Sequence, residues 1–208
     1  MIPLYLPDGG STYMLNFNVH KAIEVILYFA EKEKIVNRMD IDLIKIHKYC
    51  YYAEKEHLIR YLKPIFGDTY CALPEGPVPS MVYDILKWCR GDRNEFIAGA
   101  LRASGIAGGI PLKVYNGYFV APLRAPQIGR FSKSELLIME EVFDKYHAIP
   151  SKELSAQSHE EAAWKTAYSE NRNEMQFSEI IGNPEAWEYI SNHQEEMQVF
   201  RAAFQLQS

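Results

Sequence analysis

Asp42 to Lys87 reads DLIKIHKYCYYAEKEHLIRYLKPIFGDTYCALPEGPVPSMVYDILK, and helix, reversal, strand and helix signals follow one another along it. Leu43, Ile46, Cys50, Ala53 and His57 recur at steps of three and four, which sets them on one helical face. Tyr49, Tyr51 and Tyr52 widen that face into an aromatic band. They point in different directions around the helix, so the pattern predicts that at least one is exposed or faces a groove. Pro64 cannot continue a helix and Gly67-Asp68 is a turn pair, so the chain reverses there. Thr69 to Leu73 has the β-branched and aromatic content of a short strand. Gly76-Pro77-Val78-Pro79 reads as a rigid turn, with Pro79 in the first turn of a helix through Met81, Val82, Ile85, Leu86 and Cys89. Gly91 closes that helix.

Outside this stretch, Asn18 caps a helix to about Lys34 that turns Val19, Ile23, Ile26, Leu27 and Ala30 inward. Asp40 or Asp42 caps the helix that follows. Asn94 to Ala103 reads as a short helix closed by Gly105. The Gly105–Pro111 run behind it lacks the spacing of a phosphate-binding loop. Asn116-Gly117 between Leu112–Tyr115 and Tyr118–Val120 predicts a type I′ hairpin. Ser132-x-x-Glu135 is a capping box for a helix burying Leu136, Met139, Phe143 and Tyr146. Pro150 interrupts, and Ser151 starts a turn of helix bearing Leu154. A second capping box is read at Ser158-x-x-Glu161, before Ala162, Ala163 and Trp164. Asn183-Pro184 opens a C-terminal helix, 184–205, that presents Trp187, Ile190, Met197, Phe200 and Phe204 to the core. The fold class is mainly α (α+β): a compact multi-helix single domain, 19–208, with a small antiparallel hairpin or sheet, behind a lead-in at 1–18.

Composition excludes several functions. The 208 residues are 48% hydrophobic, enough for a sizeable core, and the net charge is −5. No Lys/Arg cluster stands out, which argues against broad binding to nucleic acid or anionic membranes. No apolar run approaches the ~20 residues of a membrane span. The N-terminus lacks a basic region and an apolar signal core, so a cytoplasmic protein is expected. Cys50, Cys71 and Cys89 form no C-x-x-C pair and occupy apolar positions, as buried reduced thiols do. His47 and His57 are ten residues apart on one helix, too far for one metal, and read as partly buried, hydrogen-bonded histidines. His159-Glu160-Glu161 has the residue types for metal or proton chemistry, but the capping box accounts for Glu161. No nucleophile elbow and no activated cysteine is present. Asp68 reads as a turn former and Asp84 as a solvated helix position. Glu75, beside the rigid turn, is the acid with no structural explanation. No catalytic residue, metal or cofactor is expected. Fourteen tyrosines, ten phenylalanines and three tryptophans exceed what one small core hides, and tyrosine is frequent at interfaces.

Four segments, in order, resemble the Panacea domain, the SocA-like antitoxin family. IKIHKYCYYAEKEHL is similar to a helix with K-L-L-Y-x-A, and FGDTYCA to G-D-x-Y-x-A. EGPVPSMVYDILK matches G-P-V before a helix, and Leu154-Ser155, Ser158-His159 and Trp164 match L-S-x-x-S/T-H…W. The resemblance spans Val19 to about Tyr168 and departs at Tyr49-Cys50-Tyr51-Tyr52, where the family more often has Leu-Leu-Tyr. It implies a non-enzymatic antitoxin of a type II toxin–antitoxin pair, neutralising a toxin encoded alongside it by direct contact. One family member acts as an adaptor delivering its toxin to a Clp-type protease. On this reading Tyr51, Tyr52, His57, Tyr70, Glu75, Gly76, Pro77 and Val78 form or buttress the partner surface. His159 and Trp164 lock the later helix against them. Two alternatives stay open: a phage or mobile-element accessory protein that binds a host factor, and a small hydrolase or transferase using His159 and Glu75.

Overall fold

The computed structural model describes residues 17–106 and 109–193. The lead-in at 1–16, part of the glycine-rich loop, and Met197, Phe200 and Phe204 lie outside those residues. The Asn18 side chain accepts from the Lys21 N–H at 3.0 Å and opens α1 (Val19–Val36). Asp42, at the end of the two-residue strand β1 (Ile41–Asp42), does the same for Lys45 at 2.9 Å and opens α2 (Leu43–Tyr61). Leu62, in a left-handed conformation, ends α2.

Next come β2 (Tyr70–Leu73) and β3 (Gly76–Pro79), then α3 (Ser80–Arg90) and α4 (Glu95–Ala103). The stretch read as a rigid turn at 76–79 is therefore a strand: it pairs antiparallel with β2, from Tyr70↔Pro79 to Leu73↔Gly76. Pro77 and Pro79 fit there because β3 is the outer strand of its sheet. The reversal falls instead at Pro74-Glu75. Pro79 sits just before α3, at its N-cap, and supplies no side-chain cap.

β4 (Leu112–Tyr115) and β5 (Phe119–Pro122) form the expected hairpin. Asn116 (φ 48°) and Gly117 (φ 80°) both hold the left-handed conformations that a type I′ turn needs. A 3₁₀ turn, Ile128–Arg130, leads to α5 (Lys133–Tyr146), which begins with the complete Ser132/Glu135 capping box. Then follow α6 (Ser151–Ser158), α7 (Ala162–Ser169), β6 (Glu174–Met175) and α8 (Phe177–Ile181). A further helix is described over 184–193. The second capping box is not formed. Ser158 ends α6 with its hydroxyl on the Ser155 carbonyl at 2.7 Å, His159 is that helix's C-cap, and Glu161 precedes α7 without capping it.

Two three-stranded antiparallel sheets result, ordered β1-β5-β4 and β3-β2-β6. α2 is buried around most of its circumference, with α5, α6, β3 and α1 packed on it. A helix covered on all sides carries its polar groups into the interior, where each must find a partner. Most do. Glu54 accepts the N–H groups of Ile65, Phe66 and Gly67 at 2.6–3.1 Å and fixes the reversal after α2. Asp68, read as a turn former, is wholly buried and accepts from the Met81 and Val82 N–H groups, both at 2.9 Å. It caps α3 from a distance, in place of Pro79. Burial pushes both carboxyls up to about 7, against the pull of these donors.

Candidate functional site

The aromatic band of α2 is core. Tyr49, Tyr51 and Tyr52 are 0%, 0% and 5% exposed, so the expectation that one of them reaches the surface fails. The reason is the all-round burial of α2, which one-sided periodicity does not reveal. Tyr52 stacks on Tyr146 (centroids 4.6 Å apart), and Tyr51 meets Tyr70 edge-on at 5.3 Å. The Tyr49 hydroxyl donates to Glu33 at 2.6 Å and the Tyr51 hydroxyl to Glu161 at 3.0 Å. Glu161 also receives the Lys55 ammonium, which ties the α6–α7 elbow to α2. His57 lies apart from this group. Its ring bridges the Lys63 carbonyl (2.6 Å) and the Ser134 hydroxyl (3.1 Å), as expected of a hydrogen-bonded histidine. His47, expected to hold a hydrogen bond, is buried beside Tyr83 with its Nε2 unpartnered among the described residues, and desolvation drives it down to about 3, so it is neutral.

The hairpin from Leu73 to Pro77, by contrast, meets residues of three helices. The Trp164 indole of α7 donates to the Leu73 carbonyl at 2.9 Å. Ser155 Oγ of α6 lies 2.9 Å from the Glu75 carbonyl and 3.2 Å from its Oε2. Lys48 of α2 donates to the Pro77 carbonyl at 2.9 Å. Carbonyls 73, 75 and 77 of one hairpin are thus each held by a side chain from a different helix. Gly76 lies inside this clamp at φ 96°: a Cβ there would come within 2.8 Å of Lys48 Nζ and closer still to Ser158 Oγ. Only glycine combines that conformation with that space. The clamp leaves Pro74 and the Glu75 side chain on the surface.

Lys48 is 1% exposed, and desolvation pulls it down to about 7 against the attraction of Glu75. A lysine with a hydroxyl nearby has the makings of a nucleophilic pair. Here Ser158 is itself wholly buried, its proton is given to Ser155, and Gly76 fills the space between, so no substrate reaches it. The arrangement holds a shape.

Beside the tip, Trp164 stacks on both His159 (4.3 Å) and Tyr168 (4.6 Å). His159 is half-buried, its Nε2 without a hydrogen-bond partner among the described residues, and Tyr168 is 46% exposed. The surface is therefore a rigid Pro74-Glu75 tip flanked by the open end of an aromatic stack. Sequence reading named Glu75, Gly76, Pro77, His159 and Trp164, and these do come together. Tyr70 and Val78 are buried beneath them, Tyr51 and Tyr52 belong to the core behind, and His57 is elsewhere on α2. It does not foresee Lys48 or Tyr168, and it names Ser155 and Ser158 only as motif residues, without their part in the clamp. One signal was available: Lys48 is three and four residues before Tyr51 and Tyr52, hence on their inward face.

Among the described residues, no three His, Cys, Asp or Glu side chains are grouped to hold a metal, and no helix is long and apolar enough to cross a membrane. The three cysteines are free thiols, Cys50 buried and the others half-buried.

This is a mainly α domain in which side chains of α2, α6 and α7 clamp a proline-rich hairpin. Residues 46–165, more than half of the chain, match the family described as Antitoxin SocA-like, Panacea domain, and the chain belongs to that family. The match begins two residues before Lys48 and ends one after Trp164, so it takes in all three donors of the clamp. No curated protein and no solved structure matches the chain.

Proposed function

We propose that this protein is the antitoxin of a type II toxin–antitoxin pair, acting in the cytoplasm by binding a protein toxin directly, without catalysis. The observation that carries the reading is the triple clamp on carbonyls 73, 75 and 77 within the family-matched region. A tip held rigid before binding loses little conformational freedom on association, which is how preorganisation raises affinity. The partner contacts Pro74, the Glu75 carboxylate, His159 and Tyr168. Tyr51, Tyr52, Tyr70, Gly76, Pro77 and Val78 support this surface from beneath. The engagement of Glu75 by Ser155 and of His159 by Trp164 favours binding over hydrolysis by that pair.

The test is to induce each small neighbouring gene in a heterologous host with and without this chain, followed by a pull-down. Restored growth with a stable complex supports neutralisation by contact. Restored growth with disappearance of the toxin, reversed when a Clp-type protease is removed, identifies delivery to proteolysis instead. Absence of toxicity from every neighbour overturns the reading in favour of an accessory protein that binds a host factor.

A further inference from the structure

The hairpin tip offers a carboxylate that is held in place yet has no counter-charge of its own. Glu75 is exposed, and Ser155 Oγ lies 2.9 Å from its carbonyl and 3.2 Å from its Oε2, so one hydroxyl orients backbone and side chain together. Among the described residues nothing bonds to Oε1 and no cation pairs with the carboxylate. On the flanking segments Lys55 is paired with Glu161, Lys165 with Glu160, and Arg172 with Glu170 and Glu179. Lys152 of α6 is exposed and leaves Glu75 unpaired. Lys48 lies beneath, committed to the Pro77 carbonyl, and its descent to about 7 leaves it about half charged at neutral pH and less above it.

A stack of flat rings stands on the same side. Ser155 and His159 are four residues apart, His159 being the C-cap of α6, so their side chains share one face of that helix. His159, Trp164 and Tyr168 stack with planes 16° and 17° apart, and Trp164 reaches back to the hairpin at Leu73. Other partly exposed rings are covered by the chain's own cations: Lys87 lies over Tyr83, Arg93 over Trp88 and Lys113 over Tyr115. Among the described residues no cation lies over His159, Trp164 or Tyr168, although Tyr168 stands in solvent.

We propose that the partner reads this tip with an arginine, whose guanidinium forks onto the Glu75 carboxylate and lays its flat face against the ring stack. The proposal rests on the toxin-binding reading of this surface and gives that contact its chemistry: a basic segment of the partner meets an unpaired acid. A guanidinium is planar, always charged, and both pairs with carboxylates in parallel and stacks on rings, whereas an ammonium acts as a point charge. The net charge of −5 favours approach of such a segment.

The experiment titrates the full chain, labelled with nitrogen-15, with the capped peptides Gly-Arg-Gly, Gly-Lys-Gly and Gly-Glu-Gly. Gly-Arg-Gly is expected to move the amide signals of Glu75 and Gly76 and the Trp164 indole signal, with affinity falling as salt is raised. It should bind at least about threefold more tightly than Gly-Lys-Gly, and Gly-Glu-Gly should leave the tip unmoved. Glu75→Gln keeps an acceptor for Ser155, and is expected to weaken the arginine response roughly tenfold without moving Tm. Signals at Glu75, Gly76 and Trp164 that do not move, equal affinity for the lysine peptide, or undiminished binding by Glu75→Gln would each overturn the proposal. Arginine binding as described, with no toxic neighbour found, supports this site and removes the toxin reading. Growth rescue with a tip that ignores the arginine peptide does the reverse.

Discussion

The Lys48 ammonium, buried on α2, donates to the Pro77 carbonyl of β3 at 2.9 Å. This contact joins the central helix to the β2–β3 hairpin through an amine that has left water. Burial has shifted Lys48 down to about 7 from its ordinary 10.5. Between those values the unfolded chain holds a proton that the fold has released, so stability rises with pH across the window, by at most about 1.4 kcal/mol per unit. Urea unfolding of the wild type and of Lys48→Met at pH 7.5 and pH 9 checks this, since other titrations cancel in the comparison. The wild type should gain stability relative to the variant at the higher pH.

Gly76 is the tightest point of the clamp. Gly76→Ala places a methyl against Lys48 and Ser158 in a backbone conformation that alanine resists. The expected loss is at least about 2 kcal/mol, read as a lowered denaturation midpoint.

Tyr51 and Tyr52 make contacts that only a core residue makes. A partner-binding surface built on them predicts that Tyr51→Ala with Tyr52→Ala abolishes binding and spares the fold. Their burial reverses that prediction: each truncation should cost about 3 kcal/mol or more and the pair should unfold the protein. Circular dichroism melting decides it. Tyr168→Ala, at the exposed end of the stack, should stay within about 0.5 kcal/mol of wild type.

Trp164→Phe keeps a ring between His159 and Tyr168 but removes the donor to Leu73. About 1 kcal/mol of stability should be lost, and hydrogen exchange should quicken at Glu75 and Gly76 as the tip loosens.

Much of this fold was legible in the sequence. Asn18, Ser132 and Asn116-Gly117 act through local hydrogen bonds or local backbone preference, and each does what its neighbours imply. Burial of α2 on every side was not legible, because a period of 3.6 marks one buried face and is silent about the rest. Hence the pattern places at least one of Tyr49, Tyr51 and Tyr52 at a surface that none of them reaches. Gly76–Pro79 was misread because prolines suit turns and outer strands equally, and only pairing with β2 separates the two. The remote cap by Asp68 and the clamp by Lys48, Ser155 and Trp164 join residues far apart in the chain, and no local pattern encodes such contacts. Glu75, Gly76 and Pro77 were nevertheless singled out, since a stiff segment next to an acid is visible in four letters.

We propose that the clamped tip and its aromatic flank meet a protein toxin. The most direct measurement is rescue of a growth-arresting neighbour by the wild-type chain and by Glu75→Lys with Tyr168→Ala, both confirmed as folded by their melting curves. The wild type is expected to restore growth and co-purify with the toxin, while the double variant does neither. Equal rescue and equal capture by the two would contradict it.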